Sequence, residues 1–182
     1  MKHFLKISPT SNVGPILSAL KVNEDLWDMN TLRTSHPDTP HKDVSDIWLW
    51  FNDLSDNVAD AIDDVQTRPY EGWWRLPQVR PLVFDLMRFV EATQIGRCVI
   101  TKLPAGKVIS PHVDQGTPAT FYTRFQIALQ SAAGCNFIIE DEQVNFKQGE
   151  VWMINNKAEH SVVNNSAEDR IALIVDLRIP TC

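Results

Sequence analysis

Three side chains in the last third of the chain could together hold a metal ion. His112 and Asp114 are separated by a single residue at the end of a run with the alternating pattern of a β-strand. Residues two apart on a strand project from the same face, so both side chains could bind one ion in adjacent coordination positions. His160 could supply a third ligand from a later strand. Two imidazoles and one carboxylate are typical of mononuclear Fe(II) sites, which leave positions open for a chelating acid and for dioxygen.

The His-x-Asp pattern occurs three times, so spacing alone does not identify the site. The other two matches are His36–Asp38 and His41–Asp43, both inside the segment Asn30–Ser45. That segment is polar and rich in Pro, Asp and Thr, which predicts a long surface loop. A loop holds ligand geometry less firmly than a strand, which favours His112 and Asp114. A lone strand histidine is more often a hydrogen-bonded structural residue, and only the combination of residues favours a metal site.

Arg170 follows His160 by ten residues and is a candidate partner for an acidic co-substrate. The intervening sequence predicts a hairpin whose turn is centred on Asn165. In that register His160 faces Arg170 directly, with the two Cβ atoms about 5 Å apart. An arginine keeps its charge and binds a carboxylate through two parallel hydrogen bonds, as this role requires.

A second arginine is also a candidate for anion binding. Arg124 and Gln126 share the polar face of a predicted strand, opposite an apolar face, and we expect that polar face to line the cavity. The structural alternative is that a strand arginine forms an ion pair, with Asp169 or Asp176 as its partner.

The elements that must position these residues are predicted to be strands. After Gly96 the hydrophobic pattern has a period of two residues, interrupted by Gly, Pro and Asn turn signals. Short strands at this spacing indicate an antiparallel sandwich or barrel, and their order favours a mainly β, double-stranded β-helix of the cupin or jelly-roll type. The predicted strands are 97–103, 107–112, 121–130, 135–140, 150–154, 160–163 and 170–178.

The N-terminal half predicts helices and a few strands. We expect one domain over residues 1–182, with an N-terminal helical part that encloses the substrate and a double-stranded β-helix core, the long helix packing on the sheet. The N-terminal part covers 1–94 and the core 95–182. The predicted elements are an edge strand at 3–7, a helix at 15–22, a buried strand at 47–51 and a long helix at 81–92.

Composition argues against several classes of function. The net charge of −6 lacks the basic excess that binding to a nucleic-acid backbone requires. Three widely spaced cysteines predict neither a disulfide framework nor a thiolate zinc site, which favours a reducing, cytoplasmic location. Prolines interrupt the N-terminal 20 residues, so we expect no signal peptide, and no segment is long enough to span a membrane.

With these residues in view, the chain resembles the aspartyl/asparaginyl β-hydroxylase family of Fe(II)/2-oxoglutarate-dependent dioxygenases, which includes bacterial free-amino-acid hydroxylases. The resemblance covers roughly residues 95–180. It is carried by Leu103–Gly106, Pro111–Asp114, Arg124–Leu129, Gly149–Trp152 and, most specifically, Glu159–Asp176.

The resemblance implies roles for several residues. His112, Asp114 and His160 would be the iron ligands, and Arg170 would bind the side-chain carboxylate of 2-oxoglutarate. Further contacts to 2-oxoglutarate would come from Arg124 and Thr101. The chain has Gln126 where the family usually has histidine, which puts the contact at that position in question. Animal members have glycine in place of the metal-binding aspartate, so Asp114 groups this chain with the bacterial members.

The resemblance implies a substrate pocket built largely by the N-terminal half. Candidate substrate-binding residues are Trp152, Asn156, Arg33, His36, Trp73 and Trp74. The expected activity is hydroxylation of an unactivated C–H bond in an amino acid or in an amino-acid residue of a peptide, with Fe(II), 2-oxoglutarate and O2, releasing succinate and CO2. A non-catalytic cupin-like binding module, and a dioxygenase acting on a nucleobase or another metabolite, are the alternatives. Closure of the Asn30–Ser45 loop over the pocket would favour a small-molecule substrate, and an open groove beside Trp73 and Trp74 a peptide.

Overall fold

The computed structural model describes residues 1–7, 10–54 and 63–180, which fold mainly into β-strands. The helices are α1 (Gly14–Val22), α2 (Leu32–Ser35), α3 (Glu71–Arg75), α4 (Val79–Phe89) and α5 (Thr117–Phe121), with a 3-10 turn at Glu24–Leu26. The strands are β1 (Phe4–Ile7), β2 (Ser45–Phe51), β3 (Arg68–Pro69), β4 (Gln94–Leu103), β5 (Val108–His112), β6 (Thr123–Gln130), β7 (Cys135–Ile139), β8 (Glu142–Val144), β9 (Val151–Ile154), β10 (His160–Asn164) and β11 (Arg170–Arg178).

The strands form two antiparallel sheets. The larger sheet has the order β1-β9-β6-β11-β4-β2-β3, and the smaller has the order β5-β10-β7-β8. Strands that follow each other in the chain often lie in different sheets, as in a jelly roll. The predicted mainly β, double-stranded β-helix is therefore confirmed. Strands β1, β2 and β3 of the N-terminal half join the same sheet as four strands of the C-terminal half.

Apolar side chains form a separate core on each face of the larger sheet. Helices α1 and α4 pack on its outer face, because α1 buries Ile16, Ala19 and Leu20, and α4 buries residues at the i, i+3, i+4, i+7 spacing of one helix face. The inner face meets the smaller sheet, where Phe4, Phe137 and other apolar side chains form a second core. The predicted long helix on the sheet is confirmed as α4.

Most predicted strands lie within a few residues of the observed ones. In the C-terminal half two elements were missed, the short edge strand β8 and helix α5 at the start of the strand predicted for 121–130. In the N-terminal half, β3 and the short helices α2 and α3 were missed. Among the described residues, no helix is long and apolar enough to cross a membrane.

The predicted hairpin between His160 and Arg170 is wrong. Strand β10 pairs with β5 and β7 in the smaller sheet, whereas β11 pairs with β4 and β6 in the larger one. The chain crosses between the sheets at Asn164, whose side-chain amide donates to the carbonyls of Leu103, Pro104 and Glu168. His160 and Arg170 therefore approach the same cavity from opposite sheets.

The segment between residues 30 and 45 is only partly the expected surface loop. It contains α2, and it buries Thr39 and Val44. The backbone N–H of Ser110 in β5 donates to the carbonyl of Pro40 at 3.3 Å, and the ammonium of Lys107 lies 3.1 Å from Asp43. These contacts fix the segment over one end of the cavity between the sheets.

Candidate metal centre

Three side chains converge at one end of the space between the sheets. In the pairing of β10 with β5, His160 lies opposite His112, and the two ring centres are 4.2 Å apart. One oxygen of Asp114, Oδ1, lies 3.7 Å from Nε2 of His112 and 3.9 Å from Nε2 of His160. The three candidate ligand atoms all lie within 4.8 Å of one another, close enough for a single ion to contact them all.

Backbone carbonyls fix both imidazoles in the orientation that a metal ligand needs. Nδ1 of His112 lies 2.7 Å from the carbonyl of Ser110, and Nδ1 of His160 lies 3.0 Å from the carbonyl of Ala158. A carbonyl only accepts hydrogen bonds, so each Nδ1 must carry a proton, and Nε2 of a neutral ring then has a free lone pair. Burial lowers the pKa of His160, which keeps that ring neutral as metal binding requires.

Asp114 lies just beyond the end of β5, not within the strand. Its backbone N–H donates to the carbonyl of Asn156, and its Oδ2 accepts from Nδ2 of the same residue at 2.9 Å. Oδ2 also accepts from the Arg124 guanidinium. Burial alone would raise the pKa of Asp114, but the charge of Arg124 and the hydrogen bond from the amide of Asn156 lower it overall, so the group is a carboxylate.

Arg124 is bound by two carboxylates. Its Nε and Nη2 donate to the two oxygens of Asp176 at 2.8 Å each, while Nη1 donates to Asp114. The ion pair with Asp176, which the sequence offered as the structural alternative, is therefore present. The face of β6 that carries Arg124 and Gln126 lines the cavity, as its alternation predicts.

Arg170 lies at the other end of the same cavity and is only 4% exposed. Its Nη2 donates to Oε1 of Gln126 at 2.6 Å, and its guanidinium carbon lies 5.9 Å from the centre of the Phe137 ring. Within the described part of the chain, no carboxylate forms a salt bridge with Arg170. Burial lowers the pKa of this unpaired guanidinium. The cavity thus has a fixed cation whose charge no described side chain neutralises.

Residues from the N-terminal half complete the wall. Nη2 of Arg33 lies 3.4 Å from the hydroxyl of Thr101, and two of its nitrogens bind the buried Asp46 at 2.8 Å. The ring of His41 packs edge-on against His112, with centres 4.9 Å apart. Nδ1 of His41 is buried without a hydrogen-bond partner among the described residues. Burial, with Arg33 and His112 nearby, lowers the pKa of His41.

Several predicted substrate-binding residues lie elsewhere. Trp152 is in the inner core, stacked on Phe146 at 5.1 Å, and Trp73 is buried in the outer core. His36 is exposed with Nδ1 against the carbonyl of Pro37, and Trp74 is exposed beside Arg80. Aromatic and polar composition did not distinguish packing from cavity lining at these positions. Of that set, Arg33 lines the cavity, and Asn156 contacts Asp114 from behind.

A second cluster of possible ligands contains His3, Glu140 and Asp141. The amide of Asn155 accepts from the backbone of Lys157 through Oδ1, so its Nδ2 must donate to Nδ1 of His3. The proton of a neutral His3 is then on Nε2, 3.1 Å from Glu140, and that nitrogen has no free lone pair for a metal. We interpret this cluster as a hydrogen-bonded contact at the edge of β1.

The sequence alone leaves Asp169 and Asp176 open as partners of Arg124 and does not show that His41 enters the cavity. Nothing in a Pro-rich segment indicates that this histidine is directed inward. Asp176 is opposite Arg124 in the pairing of β11 with β6, and only the strand register reveals that contact.

Comparisons with known proteins agree with this fold. The family model for aspartyl/asparaginyl β-hydroxylase matches residues 66–180. No curated protein sequence matches the chain. A 2OG-Fe(II) oxygenase family oxidoreductase from Burkholderia pseudomallei shares 16% identity at a TM-score of 0.63, covering 97% of this chain and 84% of that protein.

Two prolyl hydroxylases have the same fold. For the Pseudomonas putida prolyl-4-hydroxylase the TM-score is 0.52 at 12% identity, over 98% of this chain and 94% of that one. For the viral collagen prolyl hydroxylase of Paramecium bursaria Chlorella virus-1, solved with 2OG, the TM-score is 0.54 at 9% identity, over 98% and 97%. At these identities the likeness establishes the fold.

Proposed function

This chain belongs to the aspartyl/asparaginyl β-hydroxylase family, and from that premise we propose that it hydroxylates an unactivated C–H bond of a free amino acid or a similarly small carboxylic acid. It is an enzyme of the hydroxylase class, for which Fe(II) is the metal cofactor and 2-oxoglutarate and O2 are the co-substrates. The proposal assigns the metal to His112, Asp114 and His160, and the distal carboxylate of 2-oxoglutarate to Arg170.

The unpaired charge of Arg170 is the observation that carries this proposal. A buried guanidinium without a carboxylate is costly, because it has lost water and gained, among the residues that the structure describes, one neutral acceptor, Gln126. A dicarboxylic co-substrate would supply the missing anion through a bidentate pair. The cation lines the same cavity as His112 and His160, so one extended acid could contact both ends.

The donor set also fits the proposed metal. Neutral imidazole nitrogens and one carboxylate oxygen suit Fe(II), and both Nε2 atoms face Asp114 with their lone pairs free. When bound, the iron supplies the oxygen chemistry. The protein's part is to hold the ligands, orient the co-substrate through Arg170 and keep water from the target carbon.

The segment that covers one end of the cavity favours a small substrate over a peptide. The segment that contains α2 is attached to β5 by the Pro40 contact and directs Arg33 and His41 inward. The unpartnered Nδ1 of His41 supplies a hydrogen-bonding position for a polar group of the substrate.

The first experiment measures succinate formed from 2-oxoglutarate with Fe(II) present. We expect turnover in the wild type and none in His160→Ala, which loses one ligand and does not bind the metal. His3→Ala is the control, because His3 belongs to the other histidine–carboxylate cluster, and it should retain wild-type turnover. Equal turnover in wild type and His160→Ala would disprove the assignment of the metal site.

The second experiment tests the substrate class. Stimulation of succinate formation is compared between free L-amino acids and the same residues in capped peptides. We expect free amino acids alone to stimulate, and His41→Ala to raise the Michaelis constant of the stimulating compound while the exposed His36→Ala does not. Stimulation by capped peptides alone would contradict a small-molecule substrate without affecting the proposed metal site.

A further inference from the structure

The two oxygens of Asp114 have different surroundings. Oδ1 faces Nε2 of His112 and of His160 at 3.7 and 3.9 Å. Oδ2 accepts hydrogen bonds from Asn156 and from the Arg124 guanidinium. The carboxylate is therefore fixed with one oxygen directed at the proposed metal and the other directed away from it.

Arg124 is itself immobilised. It lies directly opposite Asp176 in the pairing of β6 with β11, and two nitrogens of its guanidinium bind both oxygens of that aspartate at 2.8 Å. Asp176 is 3% exposed. A bidentate pair between adjacent strands leaves a guanidinium little freedom to rotate, so Nη1 is directed at Asp114.

We propose that Arg124 is a positioning residue anchored by Asp176, which holds Asp114 with Oδ1 presented to the metal. The resemblance to the family instead implies a contact between Arg124 and 2-oxoglutarate. In this chain three of its nitrogens are already bound by the two aspartates, and Arg170 remains as the cation for the co-substrate. The inference rests on the proposed function because it concerns the same metal site.

The chain contains a matched control for this arrangement. Arg33 binds Asp46 through Nε and Nη2 at 2.8 Å each, as Arg124 binds Asp176, and Asp46 is also buried at 1% exposure. In the described part of the chain, no hydrogen bond or ion pair joins Arg33 or Asp46 to a proposed metal ligand. Asp176→Asn and Asp46→Asn therefore remove the same kind of buried ion pair from the same cavity.

The test measures the affinity of the protein for Mn(II) by electron paramagnetic resonance. No co-substrate is added, so the measurement does not depend on turnover. Replacing a residue that orients a metal ligand typically costs 10–100-fold in affinity. We expect a loss of that size in Asp176→Asn and a change within about twofold in Asp46→Asn, because only Asp176 acts on a ligand. Each variant's unfolding temperature is measured alongside to separate affinity from general loosening.

Two arginine variants separate geometry from charge. Arg124→Lys keeps the charge but cannot bind two carboxylates in a fixed fork, so we expect it to weaken Mn(II) binding as Asp176→Asn does. Arg124→Gln removes a positive charge near the metal, which would tighten binding if the guanidinium only repelled the ion. Tighter binding in Arg124→Gln, or wild-type affinity in Arg124→Lys, would overturn the proposal.

The remaining outcomes are also decisive. Equal losses in Asp176→Asn and Asp46→Asn would mean general loosening of the cavity and would refute a specific role for Arg124. Wild-type affinity in Asp176→Asn, with binding lost in His160→Ala, would refute this inference and leave the proposed function intact. A wild-type protein that binds no Mn(II) would refute both. At saturating metal, the Michaelis constant for 2-oxoglutarate in Asp176→Asn should stay within about twofold of wild type.

Discussion

Replacing Arg170 by Met should make the metal-free protein more stable and the enzyme weaker for 2-oxoglutarate. The wild-type guanidinium is 4% exposed and donates to Gln126, with no carboxylate partner among the described residues. Removing it relieves a desolvation penalty of several kcal/mol. It also leaves the Gln126 carbonyl without its donor, at a cost of about 1–3 kcal/mol.

The net effect on folding is a gain of about 1–2 kcal/mol in the free energy of unfolding. For a chain of this size, that corresponds to a rise of about 2–8 °C in Tm. Hydrogen bonds to charged groups contribute about 1.5–3 kcal/mol, so losing the ion pair with the co-substrate should raise the Kd for 2-oxoglutarate about 10–150-fold.

Calorimetry can measure both quantities: scanning calorimetry of the metal-free protein, and anaerobic titration of 2-oxoglutarate into the Mn(II)-loaded protein. Arg170→Lys is the control, because it keeps the charge and should keep part of the affinity without the gain in stability. A lower Tm in Arg170→Met together with unchanged affinity for 2-oxoglutarate would refute the reasoning, since the guanidinium would then be a structural cation.

Three further predictions concern the cavity and its support. Because burial lowers the pKa of His41 and of His160, the unfolded chain binds more protons than the folded chain. As pH falls below about 6.5, each of these histidines should therefore lower the free energy of unfolding of the metal-free protein by up to about 1.4 kcal/mol per pH unit. Urea unfolding between pH 7.5 and 5 checks this, and His41→Gln should reduce the slope. Gly72→Ala should lower the free energy of unfolding, measured in urea, by about 1–3 kcal/mol, because the new Cβ would lie 2.7 Å from the carbonyl oxygen of Trp48. The control Gly14→Ala should be nearly neutral, because its Cβ would lie 3.5 Å from the side chain of Asn12, an ordinary contact distance. Trp152→Phe should lower Tm without changing the Michaelis constant for 2-oxoglutarate, because Trp152 packs in the inner core. An unchanged Tm with a raised Michaelis constant would instead indicate that Trp152 lines the substrate pocket.

The sequence was informative where a side chain's role depends on local alternation. The period of two along β6 assigned Arg124 and Gln126 to one face, and that face lines the cavity. His112 and Asp114 were favoured over the other His-x-Asp pairs because they end a strand. The sequence could not assign what depends on register between distant strands, such as the contact of Arg124 with Asp176.

Arg170 shows how a correct location can follow from wrong geometry. The expected hairpin placed it beside His160 in one sheet, but the two residues lie in different sheets on either side of the cavity. The expected and the observed arrangements both bring the two residues together, because the first residue of β11 is directed into the cavity that β10 also borders. No pattern in the sequence constrains the path of residues 30–45. The inward direction of His41 and Arg33 is therefore known only from the structure.

The charges around the cavity suggest why metal and co-substrate should enter together. Three arginines line it, Arg33, Arg124 and Arg170. Three buried or half-buried aspartates bind the first two of them: Asp46, Asp114 and Asp176. The charges of these six side chains sum to zero. Arg170 is an unbalanced positive charge, and Arg124 with its two aspartates carries one unbalanced negative charge near Asp114. A divalent cation beside Asp114 and a doubly charged acid reaching Arg170 preserve that neutrality together, whereas either one alone leaves a net charge of two among largely buried side chains. We therefore infer that each favours binding of the other, in addition to any direct bond between them.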